Sequence, residues 1–238
     1  MSIVAKEWTS FEKQITLCEK CKRLRNHCVS IAKVKRRSFA NERYWARPVT
    51  GFGDYGARLV IVGLAPAAHG ANRTGRVFTG DRSGEWLYRA LHKAGFANQP
   101  HSIHKEDGLR LTDAFVTATV KCAPPDNKPT PQEIAHCLPY LKWEIKKLSK
   151  AKVYLALGKI GFDQAWNVLR EMGIAPKTAR PQFGHGKVVE LGSDRWLLGS
   201  YHPSQQNTFT GKLTEPMFDS VFARARQILD PRRREPST

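Results

Sequence analysis

The sequence lacks several features that mark whole classes of protein. No apolar run approaches the roughly 20 residues of a membrane span, and the first residues contain no secretory apolar region. No G-x4-G-K-[ST] phosphate loop is present, which argues against one kind of nucleotide-binding α/β protein. No internal repeat is visible. We therefore expect a cytoplasmic protein that does not bind a membrane.

Acidic residues are scarce relative to basic ones. The 238 residues include 39 Lys and Arg but only 21 Asp and Glu, which gives a formal net charge of +18 at pH 7. A surplus of this size makes a polyanionic partner the first expectation. A basic enzyme without such a partner has the same composition, so charge alone does not separate the two.

Cysteines are few, but their spacing is informative. In a reducing compartment, five cysteines argue against a disulfide framework. Cys18 and Cys21 form a C-x2-C pair, and Cys122 and Cys137 form a second pair with 14 residues between them. Four such thiolates suit either zinc or an iron–sulfur cluster. Cys28 is left over and is expected to be a small buried or partly exposed thiol.

Basic residues are concentrated in one segment near the N-terminus. Ten Lys and Arg lie between Lys20 and Arg47 against a single acid, Glu42, with Tyr44 and Trp45 among the last of them. Cations interleaved with aromatic rings suit a phosphate backbone and a stacked base. A solvated surface is the alternative for any one of these residues, but the imbalance of the whole segment favours nucleic acid.

The stretch from Leu59 to Trp86 organises the rest of the chain. It begins with a short apolar run that predicts a buried strand, followed by a long polar loop. Ser83 is predicted to cap a helix that Gly95 ends. A strand, a polar loop and a helix in this order place a site at the carboxyl edge of an open α/β sheet.

Further strands alternate with helices along the chain. Ala114–Val120 and Val153–Leu157 are predicted strands, and residues 187–191 and 195–199 are predicted to form a hairpin. Thr130 to Glu133 form a capping box before another helix. The pattern predicts a three-layer α/β/α sandwich with a central, mainly parallel, four-stranded sheet. We expect one domain over residues 1–229, with the metal-binding segment in residues 1–50, and a basic, disordered tail over residues 230–238.

Three motifs together resemble the uracil-DNA glycosylase superfamily. They are Gly63-Leu64-Ala65-Pro66 at the end of a strand, Phe78-Thr79-Gly80-Asp81, and His202-Pro203-Ser204. The segments GLAPAAHGANRTGR and HPSQQNTFTGK, with the four cysteines, look most like family 5, the iron–sulfur-containing type B enzymes of bacteria and archaea. The resemblance spans the chain from Cys18 to the last helix.

The resemblance implies an enzyme that removes uracil from DNA, together with other deaminated bases such as hypoxanthine or xanthine. It implies one [4Fe-4S] cluster on the four paired cysteines, a monomer, and, in a prokaryote, a cytoplasmic enzyme associated with the nucleoid. Phe78 would stack on a flipped base, and Asn127 would bond to its edge. The expected base-binding residues are Gly63, Leu64, Ala65, Ala67, Ala68, His69, Phe78 and Asn127. The expected DNA-binding residues are Arg73, Arg76, Ser204, Gln205, Gln206 and Asn207.

Two residues have side chains suited to the chemistry. Cleavage of the glycosidic bond leaves an oxocarbenium-like sugar and an anionic base. His202 can face the base oxygen that gains charge, and Asp81 can stabilise the sugar or activate water. The alternatives are a loop histidine bonded to backbone and a helix-cap aspartate. Members that are strict for uracil carry an Asn at the position that matches Ala118 here, or Thr117 or Thr119 in a shifted register. The absence of that amide favours broader substrate acceptance.

A second function remains open on sequence alone. A non-catalytic iron–sulfur or zinc module that binds nucleic acid would need only the cysteines and the basic segment. Such a module has no need of a carboxylate beside an anion-binding surface. The loops that carry Asp81 and His202 therefore favour the enzyme.

Overall fold

The computed structural model describes residues 3–231. Within this range the chain forms six strands and eight α-helices around one sheet. The strands are β1 Phe52–Gly53, β2 Leu59–Gly63, β3 Ala114–Ala118, β4 Val153–Leu157, β5 Val188–Gly192 and β6 Arg195–Ser200. The helices are α1 Ile3–Thr16, α2 Lys22–Val34, α3 Ala71–Thr74, α4 Arg82–Lys93, α5 Pro131–Lys147, α6 Lys159–Glu171, α7 Gln205–Phe209 and α8 Glu215–Leu229.

The sheet has the order β1-β3-β2-β4-β6-β5. Its four central strands are parallel, and β1 and β5 pair antiparallel at the two edges. The α/β/α sandwich is confirmed, but the predicted count of four strands is too low. Strand β1 has only two residues, which is too short to give a periodic signal in the sequence. Strand β5 pairs with β6 in the predicted hairpin and so adds the second edge strand.

Helices cover both faces of the sheet. On β2, Leu59 and Ile61 pack in the core that contains α4 and α8, while Val60 and Val62 pack in the core that contains α5 and α6. Strands buried on both faces appear in the sequence as continuous apolar runs, and β2, β3 and β4 are buried at every position. Among the described residues, no helix is both long and apolar enough to cross a membrane.

The connections place a crevice at the carboxyl edge of the sheet. From β2 the chain passes through α4 to β3 on one side, and from β3 it passes through α5 to β4 on the other. Loops that leave neighbouring strands in opposite directions open a crevice between them.

The segment from Gly51 to Gly56 has the spacing G-x-G-x-x-G, but it precedes β2 instead of joining a strand to a helix, so it does not form a dinucleotide loop.

Helix ends mostly follow the sequence signals. Thr130 and Glu133 form the predicted capping box at the start of α5. At α4 the prediction is wrong: the N-cap is Asp81, whose carboxylate accepts a hydrogen bond from the Gly84 N–H, and Ser83 lies inside the first turn. The two acceptor side chains are only two residues apart, and the sequence does not show which of them adopts the extended backbone of a cap.

The predicted disordered tail falls partly outside the described residues. Asp230, its first residue, follows α8 and forms ion pairs with Arg58 and Arg226. The start of the tail is therefore tied to the body of the protein. The basic residues from Arg232 onwards lie beyond the described range.

Candidate active site

A cavity of about 450 Å³ opens at the carboxyl edge of the sheet. Its volume lies in the range of ordinary small-molecule sites. The loops after β2, β3 and β6 all contribute to it. It is lined by Leu64, Ala65, Ala67, Phe78, Asp81, Arg82, Ser83, Asn127, His202, Ser204, Gln205 and Gln206. Ten of these twelve were predicted as site residues from the sequence.

Phe78 is fixed by close contacts with backbone. Its ring lies against Gly63, where an added Cβ would come within 2.7 Å of the ring carbons. Its φ is +52°, a left-handed conformation that a bulky residue adopts only when its surroundings enforce it. Only 7% of the residue is exposed, and its ring centroid lies 5.8 Å from that of His202. The protein therefore holds this aromatic face in place before any ligand enters.

Asp81 is both a helix cap and a cavity residue. Its Oδ1 accepts a hydrogen bond of 2.9 Å from the Gly84 N–H, and its Oδ2 lies where a Cβ on Gly70 would sit. Burial raises the pKa of the Asp81 carboxyl, and the N–H groups of Gly84 and Ser83 offset only part of this effect. The described residues form no ion pair with it. A carboxylate with a raised pKa is a stronger base than an ordinary aspartate.

His202 follows β6 and faces the cavity. Burial lowers the pKa of its imidazole to about 4, so the ring is neutral at pH 7. Its backbone carbonyl accepts a 2.8 Å hydrogen bond from the Asn207 side chain, which fixes the loop. Within the described range, neither ring nitrogen has a hydrogen-bond partner. The ring can therefore offer one N–H to a ligand without carrying a charge.

Asn127 reaches the cavity from a tight turn after β3. The turn Pro125–Asn127 contains two consecutive residues with positive φ, Asp126 and Asn127. Asn is among the residue types that tolerate this conformation. Its side-chain amide has both a donor and an acceptor, as recognition of the edge of a base requires.

Arg73 and Arg76 do not lie where a DNA phosphate could reach them. Arg73 is 8% exposed; it pairs with Glu42 and donates 2.8 Å hydrogen bonds to the carbonyls of His69 and Gly80. Arg76 is 4% exposed and pairs with Asp107. The expected role of these two arginines as DNA contacts is therefore wrong. Both guanidinium groups are buried and stabilise the site loop, the segment of residues 64–81 between β2 and α4. No local pattern predicts this role, because each carboxylate partner lies 31 residues away in the sequence.

Four other predicted residues lie near the cavity but do not line it. Gly63 lies beneath the ring of Phe78, and Asn207 is engaged with the His202 carbonyl. His69 turns away, with its Nδ1 2.9 Å from the Tyr44 hydroxyl. The Ala68 carbonyl accepts a hydrogen bond from Asn72. These residues support the loop instead of facing the ligand space.

Arg82 and Ser83 line the cavity and were not among the predicted site residues. Both belong to the first turn of α4, directly after Asp81. Their position in the sequence could have identified them, because the first turn of a helix that follows a site residue faces the same space.

The four paired cysteines belong to one small apolar core. Cys122 and Cys137 are buried in a small apolar core, and Cys18 and Cys21 are half-buried against it. Cys28 is also buried there. The N-terminal segment and the loop after β3 thus pack against the same apolar core.

These thiols interact electrostatically. Burial raises the pKa of Cys21 to about 11, and the charges of Cys137, Glu133 and Cys18 add to this shift. His136 lies beside the same thiol, with its Nδ1 3.4 Å from the sulfur. Among the described residues, no three His, Cys, Asp or Glu side chains form a group with the geometry to hold a metal ion.

The basic segment between Lys20 and Arg47 is only partly exposed for contact with nucleic acid. Arg25 is buried and pairs with Glu19, and Arg23 pairs with Glu133. Tyr44 is 7% exposed and bonded to His69, so it is not the stacking ring that the sequence indicated. The exposed cations that remain are Lys20, Lys22, Lys33, Arg36, Arg37, Arg43 and Arg47.

Comparison with known proteins agrees with this geometry. A profile of the Uracil DNA glycosylase superfamily matches residues 50–226. The type-5 uracil-DNA glycosylase of Mycobacterium bovis is 52% identical over 215 residues, which cover 90% of this chain and 79% of the relative. That of Thermus thermophilus is 46% identical over 222 residues, with 92% and 97% covered, and that of Pyrobaculum aerophilum is 38% identical over 218 residues, with 92% of both covered. The chain belongs to the uracil DNA glycosylase superfamily.

Proposed function

We propose that this protein is a uracil-DNA glycosylase that hydrolyses the bond between uracil and deoxyribose and leaves an abasic site. The observation that carries the proposal is the cavity, in which a fixed aromatic face, an amide, a carboxylate and a neutral imidazole converge. The family and its type-5 relatives agree with this chemistry. The large basic surplus suits a DNA substrate.

Base binding precedes the chemistry. A base inside a duplex is out of reach, so the nucleotide must be extruded, at a cost of a few kcal/mol. Stacking on Phe78 and hydrogen bonds to the Asn127 amide offset this cost. Because Phe78 is already held against Gly63, little side-chain freedom is lost when the base arrives.

His202 stabilises the departing base. As the bond between C1′ of the sugar and N1 of uracil breaks, its electron pair moves onto the base and its oxygens gain negative charge. A neutral imidazole with a pKa of about 4 donates an N–H to such an oxygen and keeps its proton. The ring therefore acts as a hydrogen-bond donor, with no net transfer of a proton from it.

Asp81 acts on the sugar side. Its negative charge stabilises the oxocarbenium-like sugar, and its carboxylate accepts a proton from the attacking water, whose oxygen forms the new bond to C1′. The raised pKa suits a base better than that of an exposed aspartate would. The hydrogen bond from Gly84 keeps one oxygen in a fixed direction.

The substrate range extends beyond uracil. Ala118 ends β3 beside the cavity loops and is buried, and its methyl group makes no hydrogen bond to a base. A pocket with fewer polar groups to leave unpaired rejects other bases less strongly. We expect hypoxanthine and xanthine to be removed as well.

The test uses purified protein and oligonucleotides that differ at one position. Uracil, hypoxanthine, xanthine or thymine is placed in the same duplex, and alkali then cleaves any abasic product. Cleavage at uracil and not at thymine supports the proposal. Retained DNA binding without cleavage at any deaminated base would instead favour a non-catalytic binding module.

The same family resemblance extends to a metal cluster. Cys18, Cys21, Cys122 and Cys137 would hold a [4Fe-4S] cluster, because four thiols are the donor set that such a cluster takes and all four belong to one apolar core. Since the described residues form no metal-holding group as they stand, the side chains would rearrange on binding. Bound there, a cationic iron core would relieve the mutual repulsion of four thiolates, and the four cysteines would tie the N-terminal segment to the sheet. Anaerobic analysis of the purified protein should find iron and sulfide, and its visible absorption band should bleach on reduction. Stoichiometric zinc without iron would contradict the proposed cluster. Cys28→Ser should keep the band.

A further inference from the structure

Arg82 lies at the mouth of the cavity and has no part in the reaction described above. Of the residues that line the cavity within the described range, it is the one with a permanent positive charge. A nucleotide whose base enters the cavity brings two phosphodiesters to that mouth, one on each side of its sugar. We propose that Arg82 binds one of these two phosphodiesters, an assignment that rests on the proposed function.

The Arg82 side chain is arranged in advance for such a contact. Its guanidinium carbon lies 5.9 Å from the ring centre of Trp86 and 5.9 Å from that of Phe209. Two aromatic neighbours limit the conformations of a long side chain, so less entropy is lost on binding. Among the described residues its Nη1 pairs with Glu85 and its Nη2, which is not buried, makes no hydrogen bond; the buried Nε is also without a partner. The guanidinium therefore has donor capacity left for a ligand.

The present partner of Arg82 is easily displaced. Its Nη1 lies 3.1 Å from the Glu85 carboxylate, and the two side chains are 41% and 62% exposed. Ion pairs this exposed contribute little to stability. A phosphodiester can accept two charge-assisted hydrogen bonds from the planar guanidinium, which is a stronger arrangement. Arrival of DNA thus replaces a weak intramolecular pair by a stronger intermolecular one.

The other arginines of the site loop cannot take this role. Arg73 and Arg76 are buried and hold carbonyls and carboxylates inside the protein. Arg82 has the opposite environment, with its stem packed and its charge at the surface. The loop between β2 and α4 thus uses two arginines for its own structure, and the first residue of α4 remains for the substrate.

Binding should be measured on a duplex that carries 2′-fluoro-2′-deoxyuridine, because the electron-withdrawing fluorine slows cleavage. Two further duplexes have a neutral methylphosphonate in place of one flanking phosphodiester, on the 5′ or the 3′ side. Arg82→Gln should weaken binding to the parent duplex about tenfold at low salt. The slope of log affinity against log salt should fall by about 0.9. On one of the methylphosphonate duplexes, the variant and the parent protein should bind equally.

The control is Arg224→Gln, which removes the same charge from an exposed position on α8 that does not line the cavity. If Arg224→Gln weakens binding, it should weaken it by the same factor on the parent duplex and on both methylphosphonate duplexes. If Arg82→Gln weakens binding to all three duplexes by the same factor, Arg82 acts through the fold and the assignment is wrong. If the parent protein does not prefer the uridine duplex over a thymidine duplex, the proposed function itself fails.

Discussion

The active-site cavity and the interface between β3 and α5 both bury ionisable side chains, but they surround them differently. In the cavity, Asp81 and His202 form no ion pair within the described range. At the interface, the Lys121 ammonium lies 2.9 Å from both Glu144 carboxylate oxygens, and the Thr117 hydroxyl bonds to the same carboxylate at 2.7 Å. Both members of that pair are almost completely buried.

Under the proposed mechanism, this difference separates burial that serves catalysis from burial that serves the fold. A buried charge pair with all its hydrogen bonds made is held in a single arrangement and has nothing left for a ligand. A buried acid or imidazole without an opposite charge has a shifted pKa and free bonding capacity. The pKa of Asp81 is raised and that of His202 is lowered because burial disfavours the charged form of each. The cavity is therefore poised for chemistry, whereas the interface is not.

The comparison is tested most strongly by Asp81→Asn. Asparagine caps a helix as well as aspartate does and keeps the shape against Gly70, so the melting temperature should hardly change. Loss of the charge should slow uracil release by ~10²–10⁴, the range for a positioned acid–base group. Single-turnover cleavage at saturating enzyme, beside a thermal melt, measures both. A variant as fast as the parent would make Asp81 a helix cap only.

The opposite result is expected for Glu144→Gln. Removing one partner leaves the Lys121 charge buried and uncompensated, which should cost about 3–5 kcal/mol of unfolding free energy. Urea unfolding measures the loss, and the rate of uracil release by the folded fraction should stay close to that of the parent.

Two further variants serve as controls for Glu144→Gln. The surface change Glu85→Gln should cost little stability. A double change, Lys121→Met with Glu144→Leu, should recover most of the lost stability, because it removes both charges together. If Glu144→Gln unfolded at the urea concentration of the parent, the buried pair would not be what holds α5 to β3.

His202→Ala should have a smaller effect, and one that depends on the base. Losing a single hydrogen-bond donor to the departing base typically costs ~10²–10³ in rate. Uracil leaves as an anion and should show this loss in full. Hypoxanthine should lose less, because a purine can leave with a protonated ring nitrogen. Equal losses on both bases, in parallel single-turnover assays, would show that His202 acts on the fold or on the sugar instead.

The central strands and the position of the site at the sheet edge could be predicted from the sequence. The central strands are continuous apolar runs because helices cover both faces, and those runs were enough to locate β2, β3 and β4. Loops after parallel strands meet at one edge, which is why Phe78, Asn127 and His202 converge. These features depend on local patterns and on the general rules of parallel sheets.

Other features depend on partners that are distant in the sequence. Whether an arginine faces DNA or a buried carboxylate is decided by tertiary contacts, and Arg76 finds its partner in Asp107, 31 residues away. The extra edge strand β1 has only two residues and leaves no periodic trace. Which acceptor caps α4 depends on the extended backbone at Asp81, whose carboxylate packs against Gly70 in the loop before the helix.

The pH dependence of uracil release tests the central claim most directly. In the proposed mechanism Asp81 acts only when it is ionised, and burial raises its pKa. The single-turnover rate of the parent should therefore fall on the acid side at a pH above the ordinary aspartate range. In Asp81→Asn this fall should vanish, and the slow residual rate should stay flat down to about pH 4, where His202 gains a proton. The same acid-side fall, with the same midpoint, in both proteins would contradict the account.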